Sequence, residues 1–459
     1  MKQDHTSRLD EFIDRPKRAI WVLAGPMMMG FAVHAVYSFV DMIFIGQLGP
    51  MALAGSTFVM PLFFVAIALG VGFATGVTAN VAQAIGRRDR EEADHFASNS
   101  LGLGLLIGVL FAVCGLTMGK WIMPVLGAEG ESAEFAWQYF EILSAGMPLM
   151  FVSMSIRAVL TGEGDAKTPM IVLTIATLLN LSLDPLFIFV LDMGIRGAAL
   201  ATLTSQLFSL ITFSYIAFVR KSSFVRFRLS LLRPSSRLLV PILRIGLPTA
   251  AGQLVMALGS GLLNRVLASF GQIAVAGYGA GSRMDLIVAL PMIGLASASV
   301  SVIGMFAGAG RADLVRSMAL YTYRWVISLA TVVGLCAYLA SQWVVGWFTA
   351  EPQAIEIGRT YLGYMVFAYP LMGIGMTSGR VLQGLGYGVP SLIITALRVL
   401  IVGVPGAYIA VYCFGAPIES AWISIIAGGF LANVLAIIWV RKYIWKSDPT
   451  VRATKSDTL

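Results

Sequence analysis

Two aspartates stand where this sequence can do chemistry. Asp41 lies inside the apolar run that begins near Lys17, and Asp184 inside the run 168–191. An ionised carboxylate at the centre of a bilayer costs at least about 2.5–3.5 kcal/mol, so one kept there is usually functional or paired. Asp41 stands five residues before Gly46, ~8 Å along a helix, and Asp184 ten residues before Gly194, ~15 Å by the same rise. Asn180 and Asp184 are i, i+4 neighbours on one helical face. Pro185 has no N–H to give the Leu181 carbonyl, which leaves a polar acceptor beside them. Thr202, on the next span, enters the same layer. His34, Tyr37, Ser38 and Asp41 share a face of the first span by their 3/4/7 spacing. The oxygens of Asp41, Asn180, Asp184 and Thr202 suit a proton or a sodium ion, with Tyr37 beside them. His34 by itself reads as a packed, hydrogen-bonded histidine.

Other groups are open to two readings. Asp285 and Arg283 are two residues apart and so do not face each other. They are either structural charges neutralised from other helices or cavity contacts for a cationic cargo. Arg157 and Arg398 sit deep in spans, where they could meet anionic parts of a cargo. Pro26, nine residues inside the first span, and Gly30 mark where that helix could bend. Cys114, Cys336 and Cys413 are isolated and read as small packing residues. No phosphate-binding Gly-rich loop, nucleophile elbow or metal-binding histidine pair appears. We therefore expect no enzyme and no cofactor, and energy drawn from an ion gradient.

The elements that must hold these groups follow from composition. The chain has 459 residues, 58% hydrophobic and 12% charged, with a mean hydropathy of +0.82. Soluble domains carry roughly 25% charged residues, so a soluble enzyme and a disordered protein are both excluded. Apolar runs of ~20 residues, enough to cross ~30 Å of hydrocarbon, recur throughout. The reading is an all-α polytopic membrane protein with spans at 17–46, 54–84, 94–119, 133–158, 168–191, 197–219, 239–265, 275–307, 315–345, 355–382, 389–413 and 418–440. Lys and Arg cluster in the N-terminal tail, at 87–90, in 220–237, at 311–316 and in the C-terminal tail, whereas Lys120 and Arg196 stand alone on the other side. This asymmetry puts both termini in the cytoplasm. The net charge of +8 then reflects orientation in the bilayer rather than nucleic-acid binding.

The chain also repeats. A shift of 222 residues carries Pro26 onto Pro248, Gly49 onto Gly271, Tyr139 onto Tyr361, Pro148-Leu149-Met150 onto Pro370-Leu371-Met372, and Gly162 and Gly164 onto Gly384 and Gly386. Gly86-Arg87 and Asp89 match Gly310-Arg311 and Asp313 with a two-residue slip. Six helices per copy give two lobes of like topology, expected to be related by a pseudo-twofold axis along the membrane normal. The domains are a cytoplasmic tail (1–16), an N-lobe (17–219), a basic linker (220–238), a C-lobe (239–440) and a second tail (441–459). The polar set is not repeated: at the same shift Asp41 becomes Leu263, Asn180 Val402, Asp184 Gly406, His34 Met256 and Tyr37 Gly259.

The two six-helix halves, the Gly25-Pro26 pair, the stretch Val40-Asp41-Met42-Ile43-Phe44-Ile45-Gly46-Gln47-Leu48-Gly49 and the loops Gly162-Glu163-Gly164 and Gln383-Gly384-Leu385-Gly386 together resemble the multidrug and toxic compound extrusion (MATE) transporters over nearly the whole chain. Tyr37, Asp41, Asn180, Asp184 and Thr202 match the N-lobe cation site of the DinF-like branch. The NorM-like branch uses acids in helices 7 and 10; here helix 7 has none and helix 10 only Glu356 at its outer start. The resemblance implies a monomeric, multi-pass exporter of the cell inner membrane, antiporting amphipathic, mainly cationic compounds such as antibiotics against protons or sodium ions. The alternative is a flippase or exporter of a lipid-linked or anionic metabolite.

Overall fold

A computed structural model of the chain describes residues 8–220, 223–228 and 235–447, with side chains to Trp445. The expected tail and linker residues Lys2, Lys221, Arg233, Arg452 and Lys455 lie outside the described residues, as does the side chain of Lys446.

The described residues form helices and no strand, as they must where lipid offers no partner to an open backbone. After the short α1 (Leu9–Asp14) come α2 (Pro16–Gln47), α3 (Pro50–Gly86) and α4 (Arg90–Val125). α5 (Gly130–Ala145) and α6 (Met147–Gly162) are one span bent by 45°. α7 (Lys167–Val190) and α8 (Gly194–Arg220) complete the first half. The second half comprises α9 (Ser236–Ala268), α10 (Gln272–Gly308), α11 (Ala312–Leu339) with the short α12 (Ser341–Gly346), α13 (Pro352–Gly384), α14 (Gly388–Cys413) and α15 (Glu419–Ser447). Ten of these are long and apolar enough to cross a membrane, the bent pair is an eleventh, and α13 is a more polar twelfth of 33 residues. The polytopic all-α architecture expected from the sequence is present.

Several boundaries differ from the sequence reading. The fourth span breaks at Gly146, where Pro148 starts a new helix because it cannot donate to the preceding turn. The ninth span ends at Leu339 rather than near 345. The first fifteen residues are not only a polar tail, since α1 buries Leu9 and Phe12. α15 continues past 440 to Ser447. The three cysteines are free and exposed rather than packed. Leu110, Val125, Leu339 and Phe414 near them in sequence are exposed too, the apolar exterior that a lipid solvent permits.

The two-residue slip in the repeat is also corrected. α3 ends at Gly86 and α10 at Gly308. Arg88 (φ 59°) and Gly310 (φ 70°) then take the same left-handed turn, and α4 and α11 begin at Arg90 and Ala312. The shift is 222 at this turn as well, because one turn geometry fixes one loop length. Contacts repeat with it. A Cβ on Gly55 would lie 3.0 Å from the Ser132 carbonyl oxygen, and one on Gly277 2.6 Å from that of Ala354. Such bare crossings are how transmembrane helices approach closely.

The chain packs as two compact units. One is Met29–Gly246 with the start of the chain up to Asp10; the other is Leu247 onward with Glu11–Met28. The sequence repeat draws its boundary at 220–238, whereas these units divide inside α2 and α9. The reason is local. Met28 packs where Gly294 has no side chain, in the second unit, and Ile242 packs where Gly76 has none, in the first.

Candidate ion-coupling site

Within the first unit, α2, α7 and α8 bring the expected residues together. Asp184 and Asn180 are 0% and 3% exposed, and Asp41 is half-buried. Asn180 Nδ2 points to Thr202 Oγ1 at 3.5 Å, and Tyr37 lies beside Thr202. Asp41 Oδ1, Asn180 Oδ1 and both carboxylate oxygens of Asp184 are buried with no hydrogen-bond partner. Native structures pair the great majority of such atoms, and an orphaned buried acceptor costs about 1–3 kcal/mol, more if charged. Four such oxygens lie on three neighbouring side chains of the first unit. The donors present are Asp, Asn and Thr oxygens, a hard set that suits a proton or an alkali cation.

The backbone helps to shape this set. Pro185 follows Asp184 directly, and the helix widens into a π turn over Leu186–Val190, closed by Leu191 N–H to the Leu186 carbonyl at 2.9 Å. Such turns recur at functional sites. His34 is exposed, with its ring 5.8 Å from that of Tyr37, so the expected packed histidine is not found. Arg157 acts on His34 electrostatically and forms no ion pair among the described residues.

Tyr139 joins the site although the sequence marked it only as a repeat match. It interacts electrostatically with Asp41, Tyr37 and Asp184 and packs against Ile45, Ile188 and Ala198. Its repeat partner serves an acid too. In the second unit Tyr361 donates to Asp285 Oδ2 at 2.6 Å and Tyr369 to Oδ1 at 2.7 Å. Asp285 is therefore satisfied by two phenols, not by an opposite charge. Arg283 stacks 4.8 Å from the Phe348 ring centroid and forms no ion pair among the described residues.

The second unit has also closed the space where the first holds its acids. A Cβ on Gly406, at the position of Asp184, would lie 3.2 Å from Ser424 Oγ, at the position of Thr202. A Cβ on Gly259, at the position of Tyr37, would overlap Val399. Helix contact fills the second site where polar side chains furnish the first.

A further acid escaped the sequence reading. Glu163 lies after α6 at the Lys/Arg-rich end, 7% exposed. Its carboxylate accepts from the Ser223 hydroxyl and, at 2.6 Å, from the Phe224 N–H. The strap 223–228 is further fastened by Arg90 Nη2 to the Phe224 carbonyl at 2.8 Å, Arg226 N–H to Asp94 at 2.7 Å and Arg228 N–H to Ser98 at 2.9 Å. Burial raises the Glu163 carboxyl to about 7, against the opposing pull of those donors. The one signal in the sequence was the repeat, where Glu163 faces Leu385.

Comparison with known proteins follows the repeat. The MatE family model matches twice, over residues 26–186 and 248–409. A probable multidrug resistance protein NorM of Thermotoga maritima is 27% identical over 95% of this chain and 94% of its own length. A FAD transporter of Shewanella oneidensis is 25% identical over 96% of this chain and 97% of its own. The structure of a MOP superfamily transporter from Pyrococcus furiosus superposes with a TM-score of 0.89 at 32% identity, covering 94% of this chain and 96% of that one.

Proposed function

Because the chain belongs to the MatE family of membrane transporters, we propose that it is a secondary active exporter of amphipathic, mainly cationic organic compounds, driven by inward movement of protons or sodium ions. The observation that carries this reading is the set of four unpartnered buried oxygens on Asp41, Asn180 and Asp184. Two neighbouring carboxylates in a low-dielectric setting repel each other strongly unless a proton or cation joins them. Entry of that ion satisfies the orphaned oxygens, and its exit restores a charged site that favours a cationic cargo. Thr202 and Tyr37 hold the amide and the rim of the site, and Tyr139 supplies a further phenol.

The placement of the acids on the first and fifth spans supports the DinF-like branch. Relatives named for multidrug resistance and export support the cargo class. The clustering of Lys and Arg supports cytoplasmic termini and an inner-membrane location, with the chain working as a monomer. The bend expected at Pro26 and Gly30 fits the change of packing partner along α2 after Met28, and we assign that segment to the coupling motion.

The test is dye movement in inverted vesicles, driven separately by a proton and by a sodium gradient. Rhodamine 6G accumulation under one gradient and not the other names the coupling ion. Equal accumulation with neither gradient imposed would overturn the exchange mechanism.

A further inference from the structure

Arg398 lies mid-way along α14, in the π turn Leu397–Gly403. Its side-chain hydrogen bond runs from Nη2 to the thioether of Met256 at 3.0 Å, a weak acceptor. It forms no ion pair among the described residues. The backbone is pressed firmly into place. A Cβ on Gly403 would come within 2.6 Å of the Arg398 carbonyl oxygen, and one on Gly428 would clash with it as well.

Facing it on α15 is Asn433, 4% exposed. Its Nδ2 donates to the Leu371 carbonyl at 2.7 Å, while its buried Oδ1 has no partner. Gly375 of α13 brings the two groups to one spot: a Cβ there would crowd Asn433 Oδ1 at 3.1 Å and touch Arg398 Nη1 at 3.8 Å.

A guanidinium keeps its proton inside proteins, so a charge held this deep calls for an anion. The orphaned amide oxygen calls for a donor. A carboxylate answers only the first, and a cationic dye answers neither. A phosphate monoester in its monoanionic form answers both: its P–O⁻ accepts from the guanidinium and its P–OH donates to Asn433 Oδ1.

We propose that Arg398 and Asn433, brought together beside Gly375, form a phosphate-monoester subsite in the second unit. It extends the transport reading above to phosphorylated amphiphiles. The group arrives either on a cargo or as the headgroup of a membrane lipid.

Flavin mononucleotide and riboflavin differ by that one phosphate and share a fluorophore. Fluorescence anisotropy with the purified full chain is expected to show the mononucleotide binding at least tenfold more tightly. Arg398→Gln should bring that ratio to near one, and Arg398→Lys should keep part of it. General damage to the fold would lower both affinities and leave the ratio unchanged. Gly375→Ala presses a methyl against Asn433 Oδ1 without altering charge and should reduce the ratio likewise, which keeps the question answerable if Arg398→Gln does not fold. Equal binding of the two flavins by the unaltered protein, or a ratio unmoved in both variants, overturns the proposal. Accumulation of the mononucleotide in inverted vesicles supports it with the phosphate on cargo. Competition by phosphatidic acid without such accumulation supports it with the phosphate on lipid. Rhodamine 6G exchange by the unaltered protein is measured alongside, so failure of the exporter reading is seen separately.

Discussion

Asp41→Asn removes a charge that the fold leaves unpaired. Loss of an uncompensated buried charge costs little stability and can add to it, so the variant is expected to fold and reach the membrane. Ion-driven rhodamine 6G efflux should fall to background. Normal efflux would make the carboxylate structural. Glu163 makes a prediction of a different kind. Its folded value of about 7 lies above the ordinary 4.5, so the folded chain binds the proton more tightly than the unfolded one. The stability this carboxyl adds is therefore full below pH 4.5, falls as pH rises through the interval, and is lost above 7. At 1.36 kcal/mol per pKa unit this is on the order of 3 kcal/mol. The unfolding temperature in detergent should fall between those limits in the native chain and depend less on pH in Glu163→Gln. The same pH dependence in both proteins would mean that Glu163 is not the group responsible.

At the scale of the helix, α2 and the glycine crossings are the elements to test. Pro26 deletes one backbone hydrogen bond near the point where α2 passes from the second unit to the first. Pro26→Ala should leave ion binding at Asp41 and Asp184 intact but slow transport. The pH dependence of a spin-label distance across α2 should flatten. If that dependence and efflux are both unchanged, the bend is only a packing feature, as the equivalent Pro248 in the half without the acids allows. The α10–α13 crossing depends on the absence of a side chain at Gly277, where a Cβ would approach Ile357 at 2.9 Å as well as the Ala354 carbonyl. Gly277→Val should destabilise the protein by about 1–3 kcal/mol, read as a lower unfolding temperature in detergent. An unshifted transition would show that the crossing relaxes.

For the whole molecule, the prediction is orientation and asymmetry. Cysteines placed at 46–54 and 120–132 should label from outside the cell, and those at 87–92 only from the cytoplasm. The native Cys114, Cys336 and Cys413 are exposed and must first be replaced. Opposite labelling at two of these loops would overturn the topology. The acid site belongs to one half, so Leu263→Asp should not rescue Asp41→Asn. The closed Gly406–Ser424 and Gly259–Val399 contacts leave the second half no room for an equivalent site. Restored efflux would show that the halves are interchangeable.

Hydropathy, Lys/Arg placement and the 222-residue repeat were enough to read the helices and their duplication, because lipid admits little besides closed helices. The site residues were legible for the same reason: Asp41, Asn180 and Asp184 are conspicuous where polar groups are costly. Tertiary structure alone decided how each polar group is satisfied. It left Asp41 Oδ1 and both carboxylate oxygens of Asp184 without donors, yet gave Asp285 two phenols from α13. It brought Glu163 under the strap and set Asn433 beside Arg398 across Gly375. The hydrogen bonds to Asp285 and Glu163 join residues 60 to 84 positions apart. Spacing along one helix reports only which side chains share a face. What lies opposite that face is settled when the helices pack.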